Sequence, residues 1–258
     1  MGERKFLDTI LEVKRREVEE ALIRWKGGFP ERGCPIRPVN LKREGKRKII
    51  AEIKKRSPSR GPLREGLSVA GLTREYTEGG AAAISVLTDS IFFGGGLGDL
   101  EEASRNSETV PLLRKDFVID GVQVEEAYAA GADLVLLIAR ILSRKKLESL
   151  IRQCREKGLV PLVEVHDERE MEMALEAGAD HLGVNNRDLD TFTVDLNVSR
   201  RLIPKIPEGC VKIVESGISD RAVMEEMEDL GADAFLIGEA LVTAPFPGER
   251  LRYYLKGK

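Results

Sequence analysis

The chain has 258 residues, 42% of them hydrophobic and 33% charged, which is enough for a large core as one α/β barrel or as two smaller domains. Its formal net charge of -3, from 41 basic and 44 acidic residues, excludes a bulk electrostatic attraction to nucleic acid or to an anionic membrane surface. Because the N-terminus lacks a signal pattern and no long apolar run occurs, we expect a cytoplasmic protein with no membrane and no nucleic-acid partner.

The cysteines and histidines argue against a disulfide framework and against a metal centre. Cys34, Cys154 and Cys210 are odd in number and far apart, which suits free thiols in a reducing compartment. With His166 and His181 as the only histidines, a histidine-rich metal centre is excluded, and we expect no metal. Gln and Asn are scarce among many charged residues, a composition that resembles that of heat-adapted proteins.

Residues 1–48 are predicted to form a helical extension and a linker ahead of the first strand. Apolar residues at helical spacing run through its first part, and the run GGFPERGCPIRP then ends the helix. The apolar stripe consists of Phe6, Ile10, Leu11, Val18, Ala21, Leu22 and Trp25. We expect this stripe to pack the helix onto a single domain, residues 1–258, rather than to contact a ligand.

A short pattern recurs along the rest of the chain: GGAAAISVL at 79, GADLVLLI at 131, GADHLGV at 178 and GADAFLIG at 231. Each copy follows a segment of helical periodicity and leads into an apolar run, which is the order helix, glycine stop, strand. Further apolar runs lie between the copies. The predicted strands lie near 49–55, 81–89, 111–117, 133–139, 160–165, 181–187, 211–216 and 234–238.

Eight strands that alternate with helices predict an α/β fold of the (β/α)8 type, a TIM barrel with an N-terminal helical extension. An open, doubly wound sheet is the structural alternative. Such a sheet would typically carry a G-x-G-x-x-G turn for a dinucleotide, and FFGGGLGDL at 92–100 does not make that fingerprint.

The first predicted strand, IIAEIKK, raises a question because a buried run carries charges. Side chains alternate along a strand, so Glu52 and Lys54 share one face with Ile50, while the other face is apolar. Buried charges are costly unless they are paired or used, so these residues form either a structural salt bridge or part of a site.

Polar residues at the ends of the other odd strands favour the site. Alternate strands of a TIM barrel supply the same interior layers, and active sites lie at the carboxyl ends of the strands. One ion pair inside a barrel is as often structural as catalytic, but five charged residues at matching strand ends favour catalysis. The predicted cluster consists of Glu52, Lys54, Lys115, Glu164 and Glu215. By alternation Arg114 is expected to point to the helix layer, and Asp116 is expected only to orient a loop.

Two turns are typical of phosphate binding. VESGIS at 214–219 ends the seventh strand in Ser-Gly before Asp220 opens a helix, and FLIGEAL at 235–241 ends the eighth strand at Gly238. Backbone N–H groups in such turns bind anions, and many TIM barrels bind phosphate after these two strands. Gly217 and Gly238 would permit close approach of the backbone to the phosphate.

These segments resemble a known family. IIAEIKKRSPSRGPL resembles the first-strand signature of the indole-3-glycerol phosphate synthases. Over about residues 5–250, LLRKDFVID, ADLVLLIARIL, PLVEVHDE, GVNNRDL, VESGIS and FLIGEAL resemble the family's other segments in the family's order. In two departures, Gly96 and Glu239 stand where members commonly have Ser, so the Glu239 carboxylate is expected to turn away from the phosphate.

The resemblance implies an enzyme of tryptophan biosynthesis, a carbon–carbon lyase that uses no cofactor. Its substrate would be 1-(2-carboxyphenylamino)-1-deoxyribulose 5-phosphate, and its products indole-3-glycerol phosphate, carbon dioxide and water. Lys115 would polarise the ketone as general acid, and Lys54 and Glu52 would serve the dehydration as acid and base. Glu164 would stabilise developing positive charge or hold Lys115 protonated, and Asn185 would fix the hydroxyl. Which lysine acts at which step stays open.

The remaining candidates would bind the substrate. Ser57 is expected at its carboxylate or its phosphate, and Arg187 at an anionic group, with Glu215 and Ser216 nearby. An apolar slot for the aromatic ring is expected from Phe92, Phe117, Leu136 and Leu189. The phosphate is expected at Gly217, Gly238 and Glu239. Glycines around 94–98 and the RSPSRGP segment indicate mobile loops that close over the substrate.

Two other functions stay open. Another phosphosugar enzyme, such as phosphoribosylanthranilate isomerase, would commonly use a Cys on the first strand, and none of the three cysteines lies there. A non-catalytic barrel that binds a phosphorylated metabolite could keep both glycine turns, but it would not need the charged cluster. We therefore expect an enzyme with a small phosphorylated substrate, present as a monomer or weak homo-oligomer.

Overall fold

The computed structural model describes residues 6–58 and 60–256, and within these ranges eight parallel strands close into a barrel. The strands pair in chain order, and the first closes the barrel against the last, with Ala51 beside Ile237. They are β1 (Lys48–Ile53), β2 (Ala83–Leu87), β3 (Leu112–Lys115), β4 (Leu134–Ile138), β5 (Val160–Val165), β6 (His181–Asn185), β7 (Val211–Glu215) and β8 (Ala234–Ile237). The predicted TIM barrel is confirmed.

Alternation along each strand divides its side chains between the barrel interior and the layer beneath the helices. In β1, Ile49, Ala51 and Ile53 join the core under the helices, whereas Ile50 joins the apolar interior. Each predicted strand range overlaps an observed strand; the fifth coincides with it, and the others extend beyond it by one or two residues at an end. The residues beyond the ladders are mostly the polar ones at the barrel mouth.

Helices connect the strands and cover the outside of the barrel. They are α2 (Val69–Gly79), α3 (Leu97–Asn106), α4 (Gly121–Ala129), α5 (Arg144–Glu156), α6 (Glu168–Glu176), α7 (Asn197–Leu202), α8 (Arg221–Asp229), α9 (Glu239–Val242) and α10 (Pro247–Leu255). Five of these helices begin with an N-cap residue whose side-chain oxygen accepts a backbone N–H of the first turn. These N-cap residues are Ser68, Asp120, Ser143, Asp167 and Asp220. Short 3-10 turns follow β4 (Ala139–Ile141) and α7 (Ile203–Lys205), and Arg56–Ser57 pairs with Gly61–Pro62 in a small hairpin after β1.

The N-terminal helix α1 (Phe6–Arg24) packs against the barrel, as the sequence predicted. Its start lies at the barrel mouth, where the ring of Phe6 contacts Phe92 and Phe192, and its later part packs against α4. The predicted apolar stripe is wrong at Leu22, which is 53% exposed. Lys14 is buried in its place along the inner face, with only 1% of its surface exposed.

The linker between α1 and β1 runs beneath the amino ends of the strands. Asp133 and Asp233, each directly before a strand, hold it there by ion pairs with Arg37 at 2.9 Å and Lys42 at 3.1 Å. The predicted extension of residues 1–48 includes residues 1–5, which lie outside the described residues, as do 59, 257 and 258. The barrel therefore has a closed, structural amino end, and its carboxyl end is left for a site.

The structure also bears on the cysteines and on membrane-spanning helices. Cys34, Cys154 and Cys210 are free thiols, as predicted. Within residues 6–58 and 60–256, no helix is both long and apolar enough to cross a membrane.

Candidate active site

A cleft of about 430 Å³ opens at the carboxyl ends of the strands. The structure brings nearly all the predicted site residues to its wall. They are Glu52, Lys54, Ser57, Lys115, Phe117, Leu136, Glu164, Asn185, Arg187, Leu189, Glu215, Ser216, Gly217, Gly238 and Glu239. Since these residues come from seven of the eight strands or the loops after them, the closed barrel itself assembles the site.

Phe92 is the predicted site residue that does not line the cleft. Its ring packs edge-on against Phe6 of α1, with 5.3 Å between ring centroids, and the neighbouring Phe93 faces the cleft instead. Both residues lie in the loop after β2, where the alternation of a strand no longer decides which way a side chain points. The sequence prediction chose the wrong one of two adjacent rings.

Lys115 lies between two buried carboxylates at the centre of the cleft. Its Nζ is 2.9 Å from Glu164 Oε2 and 3.1 Å from Glu215 Oε2. Lys115 ends β3, and the two glutamates lie near the ends of β5 and β7, so the predicted convergence of odd strands is what the structure has. A lysine ammonium is thereby held in place with its proton donors directed into a shielded cleft.

The three groups hold different charges. Burial alone would lower the pKa of Lys115, but Glu164 and Glu215 raise it above its ordinary value, so the ammonium stays protonated. Burial would raise the pKa of Glu164, but Lys115 and His166 bring it below its ordinary value. Burial, with Glu164 and Glu52 nearby, raises the pKa of Glu215 to about 7 despite the opposing effect of Lys115. Near neutral pH the cluster therefore contains an ammonium, a carboxylate and a carboxyl group that can carry a proton.

The pair on β1 answers the question that its sequence raised. Lys54 Nζ lies 2.8 Å from Glu52 Oε1, and both side chains face the cleft. Gly238 makes room for the Glu52 carboxylate, because a Cβ at position 238 would lie 2.9 Å from Glu52 Cδ. Gly183 on β6 makes room for Glu215 in the same way, with Glu215 Cδ 3.2 Å from the position of a Cβ.

The loop after β6 forms one side of the cleft. Asn185 Oδ1 accepts the backbone N–H of Arg187 at 3.0 Å, and Arg187 Nη1 donates to the carbonyl of Phe192 at 3.0 Å. Phe192 and Val194 from this loop also line the cleft. Sequence reasoning missed both, since loop positions carry no periodic pattern that shows their direction.

The predicted phosphate turn after β7 has an unusual backbone. Ser216 and Gly217 have φ angles of 62° and 79°, both in the left-handed region that a serine seldom adopts. The buried side chain of Asn186 supports this conformation, because its Nδ2 donates to the carbonyls of Glu215 at 3.1 Å and Ser216 at 3.0 Å. The sequence prediction chose Asn185, its neighbour in the cleft, and gave Asn186 no role.

The turn after β8 differs from this arrangement. Gly238 has a φ of -112°, which other residues also adopt, so its small size serves the fit of Glu52 rather than a left-handed turn. The Glu239 carboxylate lies 2.7 Å from Arg60 Nη1 in the loop after β1. This ion pair holds Glu239 toward that loop.

A metal centre would need a set of ligand side chains in the described part of the chain. Across the residues that the structure describes, no group of three or more His, Cys, Asp or Glu side chains could hold a metal ion. The residues at the cleft centre instead form acid–base pairs, which suit proton transfer to and from an organic substrate.

A comparison with known proteins identifies the family. The profile described as "Indole-3-glycerol phosphate synthase" matches residues 7–252. The chain belongs to the indole-3-glycerol phosphate synthase family. The predictions of this family, and of an enzyme of the lyase class, are confirmed.

Two members of the family align with this chain over nearly the whole length of both proteins. The chain is 46% identical over 250 residues to an indole-3-glycerol phosphate synthase of Syntrophobacter fumaroxidans, covering 94% of each chain. It is 41% identical over 257 residues to one of Campylobacter jejuni subsp. doylei, covering 96% of this chain and 99% of the relative. The family assignment thus includes both the extension and the barrel.

Solved structures agree on the fold alone. A 3-hexulose-6-phosphate synthase from Salmonella typhimurium superimposes with a TM-score of 0.59 at 17% identity, covering 80% of this chain and 96% of that chain. A thiamine phosphate pyrophosphorylase from Pyrococcus furiosus gives a TM-score of 0.61 at 18% identity, covering 80% and 93%. At these identities the likeness supports a shared barrel and carries no argument about the reaction.

Proposed function

We propose that the chain closes the indole ring of 1-(2-carboxyphenylamino)-1-deoxyribulose 5-phosphate by general acid–base catalysis in the cleft at the barrel mouth. The observation that carries this proposal is Lys115, an ammonium buried between Glu164 and Glu215. A proton donor so placed suits a reaction in which a ketone oxygen becomes a hydroxyl. The products are indole-3-glycerol phosphate, carbon dioxide and water.

In the first step, the aromatic carbon that bears the carboxylate attacks the ketone carbon. The amine nitrogen supplies electron density through the ring, and a carbon–carbon bond forms as the carbonyl π-bond breaks. Lys115 donates its proton to the oxygen, so that no free alkoxide develops. Glu164, ionised beside Lys115, stabilises the positive charge that develops on the nitrogen and the ring.

Decarboxylation and dehydration complete the reaction. Loss of carbon dioxide leaves its bonding electrons in the ring and restores the aromatic system. The new hydroxyl then leaves as water with a proton from Lys54. Glu52 accepts the proton whose loss forms the carbon–carbon double bond of the new five-membered ring. Their 2.8 Å ion pair places acid and base side by side for this step, and Asn185 holds the departing hydroxyl.

The walls of the cleft fit the two anionic groups and the ring of this substrate. We assign the phosphate to backbone amides around Ser216, Gly217 and Gly238, with the Glu239 carboxylate held aside by Arg60. The substrate carboxylate is assigned to the side that holds Lys54, Ser57 and Arg187. The ring lies in the apolar slot, which is lined by Phe93, Phe117, Leu136 and Leu189.

The proposal extends to the surroundings of the enzyme. Every step uses a side chain of the cleft as acid, base or charge, so we propose that the reaction needs no metal and no organic cofactor. We also propose that the enzyme works in the cytoplasm as a monomer or weak homo-oligomer, which sedimentation at several protein concentrations would measure.

The test of the function is product formation by the purified chain. We expect indole fluorescence to rise when the proposed substrate is added, with one carbon dioxide released per indole formed. A folded protein that binds the substrate but gives neither signal would refute the proposal. Fluorescence without carbon dioxide would show a different ring chemistry and would also contradict it.

A further inference from the structure

His166 is a buried histidine that the proposed mechanism does not use. It follows Val165 at the end of β5, its side chain is 4% exposed, and it is not part of the cleft wall. Its Nε2 lies 3.3 Å from Glu164 Oε1, on the side of Glu164 away from Lys115. Its Nδ1 lies 2.9 Å from Glu170 Oε2 of α6. The imidazole thus connects a carboxylate of the site to a carboxylate of the helix layer.

The contacts of the ring favour its charged form. A neutral imidazole has one N–H, so one of its two nitrogens would present a lone pair to a carboxylate oxygen. An imidazolium donates from Nδ1 to Glu170 and places positive charge 3.3 Å from Glu164, where the contact is an ion pair without a hydrogen bond. Burial disfavours this charge, but contacts with Glu164 and Glu170 outweigh it and raise the pKa of His166 to about 9.

The groups behind His166 keep Glu170 ionised. Glu170 Oε1 accepts from Arg140 Nε at 2.8 Å, and Arg140 Nη1 also lies 3.3 Å from Asp188 Oδ2 in the loop after β6. Asp167, the N-cap of α6, accepts the backbone N–H of Glu170 at 2.8 Å. Charges therefore alternate in sign outward from the site. Burial would raise the pKa of Glu170, but His166 and Arg140 lower it below its ordinary value.

This chain of charges makes the two carboxylates at Lys115 unequal. Glu164 lies between two cations, Lys115 and His166. Among the described residues, Glu215 forms an ion pair with Lys115 alone, at 3.1 Å. The Oε1 atoms of both glutamates lack a hydrogen bond, so the second cation beside Glu164 is the difference between them. The pKa of Glu164 is lowered and that of Glu215 is raised to about 7, in keeping with this difference in partners.

We propose that His166 is a positioning residue, a protonated imidazole that keeps Glu164 ionised and directed at Lys115 and leaves Glu215 as the carboxyl group that carries a proton. This role rests on the proposed function for its effect on turnover. It assigns different protonation states to two glutamates that occupy similar places on alternate strands. Glu164 then stabilises positive charge during ring closure, and Glu215 has a proton to give.

The charge of His166 can be measured without any substrate. The chain has two histidines, so the variant His181→Asn with nitrogen-15-labelled histidine has a single ring to titrate by NMR. We expect both ring nitrogens to show the shifts of an imidazolium from pH 6 to pH 8. The shifts of a neutral tautomer at pH 7 would overturn the proposal. In Glu170→Gln, which keeps the shape of the side chain, deprotonation should move to lower pH.

The effect on turnover is measured by the pH dependence of kcat. In His166→Asn, Glu164 loses a cation 3.3 Å away, so we expect the acidic limb of the profile to move up by about 1 to 3 pH units. His181→Asn is the matched control, because His181 pairs with Asp180 at the amino end of β6, and its profile should match that of the wild type. A purely structural His166 would lower the melting temperature and leave the profile in place, which would refute the proposal.

The two experiments separate this inference from the proposed function. The NMR titration reports the charge of His166 whether or not the chain makes indole-3-glycerol phosphate. If His166→Asn does not fold, Glu170→Gln provides the kinetic test, with a smaller upward shift of the acidic limb expected. An unshifted profile in folded Glu170→Gln would then count against the proposal.

Discussion

The substitution Gly238→Ala tests whether the barrel makes room for the Glu52 carboxylate. Gly238 directly follows β8, and the register that places Ala51 beside Ile237 continues to place Gly238 beside Glu52. The φ of -112° at Gly238 is open to alanine, so the new methyl group, rather than the backbone, is the perturbation.

The size of the effect follows from the distances. The added Cβ would lie 2.9 Å from Glu52 Cδ and 3.2 Å from Glu52 Cβ, whereas ordinary van der Waals contact begins at 3.4 Å. The carboxylate must therefore move, and its Oε1 carries the 2.8 Å contact with Lys54. Overpacking of this kind costs about 1–3 kcal/mol of stability, and a displacement of about 1 Å in a site can cost on the order of 100-fold in rate.

We expect kcat/KM, measured by indole fluorescence, to fall by about 10- to 100-fold in Gly238→Ala, which corresponds to roughly 1.4–2.7 kcal/mol. Gly209→Ala is the control, because a Cβ at position 209 meets nothing within 4 Å. The decisive comparison is the unfolding free energy in the Glu52→Ala background, where the obstructing carboxylate is gone and Gly238→Ala should cost little. An equal loss of stability in both backgrounds would refute the reasoning.

Three further predictions concern residues around the cleft. Lys14→Met leaves the buried Asp89 and Asp116 without their shared cation, so the unfolding free energy measured with urea should fall by about 3–5 kcal/mol. In the control Arg16→Met, which removes an exposed ion pair, the fall should be less than about 1 kcal/mol. A fall as small as this in Lys14→Met would contradict the assigned ion pairs. Asn186→Ala removes the hydrogen bond that supports the left-handed turn at Ser216, where the phosphate is proposed to bind. KM should therefore rise by on the order of 10-fold, with kcat little changed. A fall in kcat alone would count against a role in phosphate binding. In the folded protein the pKa of His166 is about 9, above the usual 6.5, so its protonation contributes about 3 kcal/mol to stability below pH 6.5, and this contribution is lost as the pH rises through 9. The difference in unfolding free energy between wild type and His166→Asn should therefore shrink from pH 6.5 to pH 9. A difference that stays constant over this range would contradict the prediction.

Much of the fold and of the cleft centre could be predicted from the sequence, because periodicity and alternation are strong signals in a barrel. Strand alternation alone placed Glu52 and Lys54 on the inner face, and the layering of odd strands brought Lys115, Glu164 and Glu215 together. The fourfold repeat of helix, glycine and strand, with the apolar runs between its copies, predicted the number and order of the strands. These features depend on local spacing, which a single sequence contains.

The parts that could not be predicted depend on tertiary contacts between distant segments. The sequence did not single out Lys14 of α1, since its partners Asp89 and Asp116 follow β2 and β3 and are distant in the chain. The choice between Phe92 and Phe93 depends on how α1 packs over the loop after β2. His166 gave no sign of its role, because the two carboxylates that enclose it meet only when α6 folds back onto β5.

The central claim is that Lys115 supplies the proton that starts ring closure. The most direct test is the rate of indole formation by Lys115→Met under single-turnover conditions, with enzyme in excess over the carboxyphenylamino-deoxyribulose phosphate. Lys212→Met is the control, because Lys212 is also a buried lysine of the barrel but is not part of the cleft wall. We expect that Lys115→Met stays folded, still binds the substrate and loses on the order of 10²- to 10⁴-fold in rate, while Lys212→Met retains its rate. A rate for Lys115→Met within a few-fold of the wild type would show that Lys115 is not the proton donor.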